Sequence, residues 1–343
     1  MNRRVRRYWV LAVTAPVLFI ACERRSPEQA NTRAESGAAN VLLITLDTTR
    51  ADHLSCYTPP YTKAPVESPH LDSLAARGVR FAHATAQVPL TLPSHASIMT
   101  GAYPEVHGVR DMGGFVLNKT NTTIATVTHD AGFATAAFVG SLVLSRRMGF
   151  ANGFATYDDD MGGSREEGQL PGIYPERRAA VVTDHALSWL RRNGGKRFFL
   201  WAHYYDPHAP YDPPQPFKTT YAKDLYSGEI AYTDEQVGRL LDGLEKQGLG
   251  SRTVVVAMGD HGESLGEHGE MTHGIFIYES TMHIPLIIAG PGIPANKVVE
   301  EQVRSIDVMP TVLDFLHLSP AKEAQGVSLR LLIEDVAPRV ADL

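Results

Sequence analysis

The stretch TVVVAMGDHGE, residues 253–263, joins an apolar run to a cluster of ionisable side chains. The run TVVVAMG is rich in β-branched residues and ends at a glycine, which is typical of a strand buried on both faces of a parallel sheet. Four other runs have the same character and are predicted to be strands of the same sheet. They lie at residues 41–46, 133–140, 197–205 and 284–290.

Helical patterns lie between these runs. Over residues 234–248 the apolar side chains recur at the i, i+3, i+4, i+7 spacing of one helix face, and a second such pattern covers residues 176–192. Residues 158–172 are predicted to be the longest loop. Strands that alternate with helices predict an α/β fold in which helices sandwich a doubly wound, mostly parallel sheet.

The composition narrows the class of protein. The chain has 343 residues, 43% of them hydrophobic and 20% charged, which describes a globular protein and excludes fibrous and disordered classes. Of its 32 basic residues, four arginines lie before residue 22, where there is no acid, so the rest of the chain has 28 basic against 38 acidic residues. An acidic body argues against nucleic acid as a partner.

The first 21 residues combine a basic start with the short apolar run VLAVTAPVLFIA, which is typical of a secretory signal peptide. The run ends at LFIAC, which resembles a bacterial lipoprotein signal in which Cys22 becomes the lipidated N-terminus. Residues 22–39 are polar and without apolar periodicity, as a tether is. We expect an exported protein of the bacterial cell envelope, in the periplasm or on the outer surface, anchored in the membrane by this lipid. Plain secretion after cleavage near Ala21 is the alternative.

Ionisable side chains follow three of the predicted strands. Because ligands bind outside the carboxyl ends of strands in an open α/β sheet, these side chains are the first candidates for a site. Carboxylate and imidazole groups at converging strand ends suit a divalent cation, although an Asp after a strand is often only a helix cap. The candidates are Asp47 after 41–46, Asp260 and His261 after 253–259, and His203, Asp206 and His208 after 197–202.

The segment PLTLPSHASIMTG, residues 89–101, predicts a helix that begins near Thr91. Free backbone N–H groups and the helix dipole favour an anion at such a place. A hydroxyl held there beside a metal ion loses its proton more readily and attacks phosphorus or sulfur. By spacing alone the segment is only a helix start, so the assignment of Thr91 as a nucleophile needs further support.

Other polar side chains near these segments have competing interpretations. His95 either orients Thr91 or binds a substrate oxyanion, or it is only a histidine near a helix terminus. Arg50 either clamps a phosphate with two hydrogen bonds or forms a surface ion pair. Tyr205 and Tyr211, in a loop rich in proline and aromatic residues, either pack on an organic leaving group or belong to a well-packed surface loop.

Three long segments resemble the sulfatase family of the alkaline phosphatase superfamily, in the family's order and spacing. They are NVLLITLDTTRADHLSCY (40–57), PLTLPSHASIMTGAYPEVHGV (89–109) and VVVAMGDHGESLGEHGEMTHGIFIYESTMHIPLII (254–288). The resemblance implies a catalytic domain over 40–330 with the sulfatase-like fold and a tail over 331–343. Family members commonly continue into a smaller C-terminal subdomain, which we expect to be short or missing here.

The resemblance also implies roles for individual residues. Asp47, Asp260, His261 and Thr91 hold a metal ion, Thr91 is the nucleophile, and His208 and His273 contact the substrate oxyanion or a second ion. The reaction that it implies is displacement at the ester centre through a covalent nucleophile ester, which water or an acceptor then resolves.

The segments also depart from the sulfatase pattern. Sulfatases carry Cys or Ser at the nucleophile and oxidise it to formylglycine, which Thr91 cannot form. His95 replaces an Arg, Thr48 an Asp, His261 an Asn and His273 a Lys of the family, and the residues of the segment 140–144 include neither the sulfate-binding Lys nor the His. These changes look more like the phosphoester branches of the superfamily.

We therefore expect a metal-dependent hydrolase or transferase that acts on a small-molecule, lipid or glycan ester of phosphate or a related anion. Histidine ligands favour a zinc-type ion, with calcium or manganese as alternatives and room for a second ion. Two other interpretations stay open. One is a sulfuric ester hydrolase of the arylsulfatase type that works without formylglycine, and the other is a non-catalytic lipoprotein with a vestigial site.

Overall fold

A computed structural model describes residues 40–58, 66–162 and 176–335. Within these residues nine strands form one sheet. The strands are β1 (Asn40–Leu46), β2 (Gly78–Thr85), β3 (Ala134–Val139), β4 (Thr156–Asp158), β5 (Phe198–Tyr204), β6 (Thr253–Gly259), β7 (His283–Ile284), β8 (Leu286–Ala289) and β9 (Lys297–Arg304).

Ten α-helices lie in the same described ranges. They are α1 (Pro69–Ala76), α2 (Thr91–Thr100), α3 (Pro104–His107), α4 (Ile124–Asp130), α5 (Ala179–Asn193), α6 (Phe217–Thr220), α7 (Leu225–Lys246), α8 (Glu279–Met282), α9 (Val308–Phe315) and α10 (Arg330–Ile333). Short 3-10 helices occupy Ala51–His53, Ser55–Tyr57, Leu142–Leu144, Arg146–Met148, Gly250–Arg252, Glu267–Gly269 and Ser305–Asp307.

The sheet has the order β4-β3-β5-β1-β6-β8-β2-β7, and β9 pairs with β2. The five strands from β4 to β6 in this order are mutually parallel, whereas β8 runs antiparallel to both of its neighbours. The predicted fold class, a mostly parallel α/β sheet between helices, is confirmed. β1 lies between β5 and β6, so the polar residues that follow these three strands meet at one edge of the sheet.

Alternate residues of β1 enter two separate cores. Val41 and Leu43 pack in one apolar cluster with side chains of α2, α4 and α9. Leu42 and Ile44 pack in the other with side chains of α1, α5 and α7. All four are fully buried, which explains why the strand reads as a continuous apolar run and not as an alternating one.

The predicted strands and helices lie close to the observed ones, with differences that have local causes. The run 284–290 is divided into β7 and β8 at Pro285, since proline has no N–H to donate to a neighbouring strand. The helix predicted over 234–248 begins earlier, at Leu225, where Asp224 caps it. Its first half is buried on nearly all sides, so no apolar stripe marks it. Strands β2, β4 and β9 were not expected, because none of them is a continuous apolar run. β9 carries four charged residues, β2 includes Arg80 and His83, and β4 has only three residues.

Several predictions fall outside the described residues. These are the signal peptide at 1–21, Cys22 and the tether at 22–39, the loop residues 163–172 and the tail beyond Asp335. In the described part of the chain, no helix combines the length and the apolar character that crossing a bilayer requires.

Candidate active site

The carboxyl ends of β1 and β6 bring two aspartates together. Leu46 and Gly259 are paired in the sheet, so Asp47 and Asp260, which follow them, lie side by side. Ligand atoms of Asp47, Asp260 and His261 all lie within 4.8 Å of one another, and the three residues are fully buried. The predicted metal ligands therefore form one cluster, although 213 residues of sequence separate the first aspartate from the second.

Thr91 joins this cluster from the other side. It is the first residue of α2, and its Oγ1 lies 3.4 Å from Oδ1 of Asp47 and 3.3 Å from Nε2 of His261. All ten residues of α2 are buried, so the helix holds the Thr91 hydroxyl against the cluster. Ser94 adds a direct link, since its hydroxyl donates a hydrogen bond of 2.7 Å to the carbonyl oxygen of Asp260.

The cluster has the free acceptor atoms that a cation needs. Oδ1 of Asp260 accepts hydrogen bonds from the backbone N–H groups of Thr48 and His261. Oδ2 of Asp260 is buried and has no hydrogen-bond partner. A buried polar atom without a partner is rare and costly, which makes this oxygen a candidate ligand atom. The mixed set of two carboxylates and one imidazole fits a divalent ion of the kind that sulfatases bind.

His261 presents a lone pair to the cluster. Its Nδ1 lies 2.9 Å from the carbonyl oxygen of Gly262, so Nδ1 carries the proton and donates it there, which leaves Nε2 free. Burial lowers the pKa of His261 well below its usual value, so the ring is neutral, as metal binding requires.

The raised pKa values of Asp47 and Asp260 are also those expected of a cation site. Burial raises the pKa of Asp47 to about 8, and burial together with the charge of Asp47 raises the pKa of Asp260 well above its usual value. Two ionised carboxylates this close are unfavourable in a buried site unless a cation balances them.

His203, at the end of β5, contacts Asp47 of the cluster from the neighbouring strand. Its Nδ1 accepts a hydrogen bond of 3.2 Å from the backbone N–H of Gly140, so Nε2 carries the ring proton and donates it over 3.2 Å to Oδ2 of Asp47. A histidine at a strand end can equally be a core residue. The position of His203 favours the site, because it pairs in the sheet with Thr45 of β1, two residues before Asp47.

His208 and His273 lie at the open side of the site. Together with Thr91 they line a cavity of about 170 Å³, whose other walls include Leu90, Met112 and Val143. The ring of His208 stacks on Tyr205 at 4.3 Å and lies 5.4 Å from the ring of His273. Burial, followed by the charge of His273, lowers the pKa of His208 to about 4.

Glu263 holds His273, a contact that no sequence motif indicates. The fully buried carboxylate of Glu263 lies 3.2 Å from Nδ1 of His273 and accepts a hydrogen bond of 2.9 Å from the hydroxyl of Tyr211. Burial lowers the pKa of His273, but the hydrogen bond between His273 and Glu263 and the charge of Glu263 outweigh it and raise that pKa above its usual value. Tyr211 therefore supports the site through Glu263, whereas Tyr205 lines the cavity itself.

His95 lies beneath Thr91 and does not face the cavity. It is fully buried, and its Nδ1 lies 2.8 Å from the carbonyl oxygen of Thr91 and 3.4 Å from Oδ2 of Asp260. Burial, followed by the charge of His203, lowers the pKa of His95 well below its usual value. Of the two roles considered for His95, the geometry favours orienting Thr91 over contact with a substrate oxyanion.

Arg50 is engaged elsewhere, so the expectation that it clamps substrate needs correction. Nε and Nη2 of its guanidinium donate to the carboxylate of Asp52, and Nη1 donates to Glu267 and to the carbonyl oxygen of Glu263. These contacts occupy the Nε–Nη2 edge of the guanidinium and the donors of Nη1, so neither edge is free for a bidentate contact with substrate. The ion-pair interpretation therefore holds for Arg50.

Two other polar residues near the strand ends are structural. The carboxylate of Asp206 accepts from the backbone N–H of Ala179, the first residue of α5, and pairs with Arg178. Thr48 has a positive φ of 48°, which is uncommon for a threonine, and its hydroxyl donates to the carbonyl oxygen of Pro207. Thr48 therefore fixes the loop after β5 and offers the cluster no ligand in place of the family's aspartate.

Comparison with known proteins agrees with this fold. A family model described as Sulfatase matches residues 39–318. An arylsulfatase of Clostridium perfringens is 28% identical to the chain, over 86% of the chain and 78% of that protein. A multifunctional alkaline phosphatase superfamily protein of Trinickia caryophylli is 26% identical, over 87% of the chain and 78% of that protein.

Among solved structures, the phosphonate monoester hydrolase of Silicibacter pomeroyi shares the fold, with a TM-score of 0.73. It is 24% identical in sequence, and the match covers 88% of this chain and 78% of that one. The fold and the comparisons together define an ester hydrolase of the alkaline phosphatase superfamily. Within that superfamily the chain belongs to the sulfatase family.

Proposed function

We propose that the enzyme is metal-dependent and cleaves phosphoric or related anionic esters with Thr91 as its nucleophile. The observation that carries this proposal is the position of Oγ1 of Thr91, at the N-terminus of a buried helix and within 3.4 Å of atoms of Asp47 and His261. Threonine cannot be oxidised to the formylglycine of sulfatases, which favours direct attack by its hydroxyl on a phosphorus centre.

Asp47, Asp260 and His261 would hold the ion, with the Thr91 hydroxyl beside them. A bound divalent ion lowers the pKa of a neighbouring hydroxyl and balances the charge that develops on the ester oxygens. The imidazole in the ligand set favours a zinc-type ion over calcium, which prefers oxygen ligands alone.

The remaining residues provide the proton transfers. The deprotonated Oγ1 of Thr91 forms a bond to phosphorus, and the bond from phosphorus to the leaving oxygen breaks. His273, whose charged form is favoured by the hydrogen bond to Glu263, donates its proton to that leaving oxygen. Water then gives a proton back to His273, attacks the phosphothreonine and releases phosphate. An alcohol in place of water would make the same enzyme a transferase.

The cavity indicates the kind of substrate. Its volume is about 170 Å³, and Leu90, Met112, Val143 and the ring of Tyr205 form much of its wall. Such a wall suits a small organic leaving group, which is the part of the ester that must leave the site first.

Metal analysis and a substrate panel on the purified protein test this proposal. The panel contains a 4-nitrophenyl phosphate monoester, a phosphodiester, a phosphonate monoester and a sulfate ester. We expect phosphorus esters to be cleaved faster than the sulfate ester, and Thr91→Ala to abolish turnover while it still binds metal. Thr91→Ser is the matched variant, which keeps the hydroxyl and should keep measurable activity. Full activity in Thr91→Ala would rule out the nucleophile.

The arylsulfatase relative supports a second candidate, hydrolysis of sulfuric esters by Thr91 without formylglycine. The same panel distinguishes the two candidates. A sulfate ester cleaved well above all phosphorus esters, with loss in Thr91→Ala, would favour the second one.

We also propose that the mature enzyme is exported and anchored through a lipid on Cys22, on the strength of the LFIAC stretch at residues 18–22. Metabolic labelling with a radioactive fatty acid tests this proposal. The wild type should incorporate the label and Cys22→Ala should not, whereas equal labelling of the two would contradict the anchor.

A further inference from the structure

A buried chain of hydrogen bonds runs beneath the nucleophile helix. Nε1 of Trp201 lies 2.9 Å from Oγ1 of Thr45, which lies 3.1 Å from Nε2 of His95, whose Nδ1 lies 2.8 Å from the carbonyl oxygen of Thr91. Trp201, Thr45 and His95 are fully buried, so each polar atom depends on a protein partner.

The direction of these hydrogen bonds follows from the chemistry of the groups. The indole N–H of Trp201 can only donate, so Oγ1 of Thr45 accepts from it. The hydroxyl proton of Thr45 then points to Nε2 of His95, which accepts it, so the ring proton resides on Nδ1 and is donated to Thr91. With the proton on Nε2 instead, Nδ1 and the carbonyl oxygen of Thr91 would be two acceptors facing each other at 2.8 Å.

Thr45 also shares a strand with the metal cluster. It lies on β1 two residues before Asp47, and because strand residues alternate between faces it lies on the same face as Val41 and Leu43. A hydroxyl at this position is the polar exception in an apolar stripe. β1 therefore fixes both Asp47 and, through His95, the backbone of the nucleophile.

We propose that Thr45 is a positioning residue, which fixes the orientation of the His95 ring at Nε2 and thereby holds the first turn of α2 so that Oγ1 of Thr91 faces the cluster. This inference rests on the proposed role of Thr91. Loss of the Thr45 hydroxyl leaves the buried Nε2 of His95 without its donor, so only the contact of Nδ1 with the Thr91 carbonyl oxygen still holds the ring. The nucleophile then loses a fixed orientation, while the cavity that binds substrate is unchanged.

The test compares Thr45→Val, which keeps the shape of the side chain, with Thr45→Ser, which keeps the hydroxyl. The control is Thr135→Val, which removes another fully buried strand hydroxyl, one that accepts from the N–H of Ala155 far along the sheet from Thr91. We expect kcat for 4-nitrophenyl phosphate to fall about 10- to 100-fold in Thr45→Val with KM changed less than about twofold. Thr45→Ser should restore most of kcat, and Thr135→Val should leave kcat near the wild-type value.

A second measurement reports the hydrogen bond itself. The indole N–H signal of Trp201 in an NMR spectrum, identified by its loss in Trp201→Phe, should shift in Thr45→Val and stay near its wild-type position in Thr45→Ser. If Thr45→Val keeps wild-type kcat while Thr91→Ala is inactive, the positioning role is wrong and the nucleophile stands. If Thr91→Ala is active, the nucleophile itself is wrong. Should Thr45→Val fail to fold, a wild-type kcat and an unshifted indole signal in Thr45→Ala would overturn the positioning role equally.

Discussion

Oδ2 of Asp47 accepts a hydrogen bond of 3.2 Å from Nε2 of His203, on the neighbouring strand and 156 residues later in sequence. Because the other ring nitrogen of His203 accepts from the backbone N–H of Gly140, the ring cannot turn without losing both contacts. The carboxylate of Asp47 is thus fixed before any ion arrives.

We therefore expect His203→Leu to weaken metal binding about 10- to 100-fold, as changes behind a metal ligand commonly do. Competition with a chromogenic chelator measures this affinity. His129→Leu, on the exposed end of α4, is the control and should bind metal like the wild type. An unchanged affinity in His203→Leu would contradict the role of His203.

Removal of the metal is expected to destabilise the protein. The cluster holds two buried carboxylates, one of which has an oxygen without a hydrogen-bond partner. A bound cation would contact that oxygen and balance the negative charge of the pair. At a metal concentration about 100 times the dissociation constant, the linkage adds about 2.7 kcal/mol to the free energy of unfolding. Thermal unfolding with chelator and after addition of zinc, manganese or calcium measures it. Asp260→Asn should abolish the difference, and a wild type that unfolds identically with and without metal would argue against the site.

Asp234 is expected to stabilise the packing of α7 on α1. Its carboxylate accepts hydrogen bonds from the backbone N–H groups of His70 and Leu71, in the first turn of α1, where no other capping side chain is present. Asp234→Ala should lower the free energy of unfolding by about 1 to 2 kcal/mol, the usual cost of losing a helix cap. Asp242→Ala, on the exposed side of the same helix, should change it by less than about 0.5 kcal/mol. Denaturant titration compares the two variants, and equal losses would contradict this account.

His107 makes stability depend on pH. Its Nδ1 accepts from the backbone N–H of Val109, so Nε2 donates to the hydroxyl of Ser97 on α2, and burial lowers the pKa of His107 to about 4. Because the folded-state pKa lies below the unfolded one, this contribution is complete above about pH 6.5 and is lost as the pH falls toward 4.

His107→Gln should therefore lose less stability than the wild type on acidification. Between pH 6.5 and 5 we expect the difference to reach about 1 to 2 kcal/mol in the free energy of unfolding. Urea titrations of both proteins at a series of pH values give this difference. Parallel pH dependences would show that the ring of His107 is not held neutral.

Local patterns predicted the central strands of the sheet and much of the candidate site, because burial on both faces and a strand end each require particular residue types. Apolar runs mark strands that are buried on both faces, and an ionisable residue directly after such a run marks a strand end, which is how Asp47 and Asp260 could be identified. Thr91 needed only the proline two residues later to be placed at the start of α2.

Contacts between distant side chains could not be predicted in this way. Nothing in the sequence near Arg50 shows that Asp52 and Glu267 occupy its guanidinium, and nothing near Thr45 shows that Trp201 and His95 meet its hydroxyl. Charged strands such as β9 were missed because edge strands are partly exposed, so they lack an apolar signature.

The central position of β1 has a consequence for how the chain is made. β1 is the first strand of the described chain, yet Asn40 at its start pairs with Thr253, 213 residues later. At ribosomal rates of about 5 to 20 residues per second, this interval lasts roughly 10 to 40 s. For most of that time the run VLLITL has neither of its neighbours, since β5 begins only at Phe198, and its exposed edges can pair with other chains. The nascent chain therefore exposes an apolar strand edge until β6 has been synthesised.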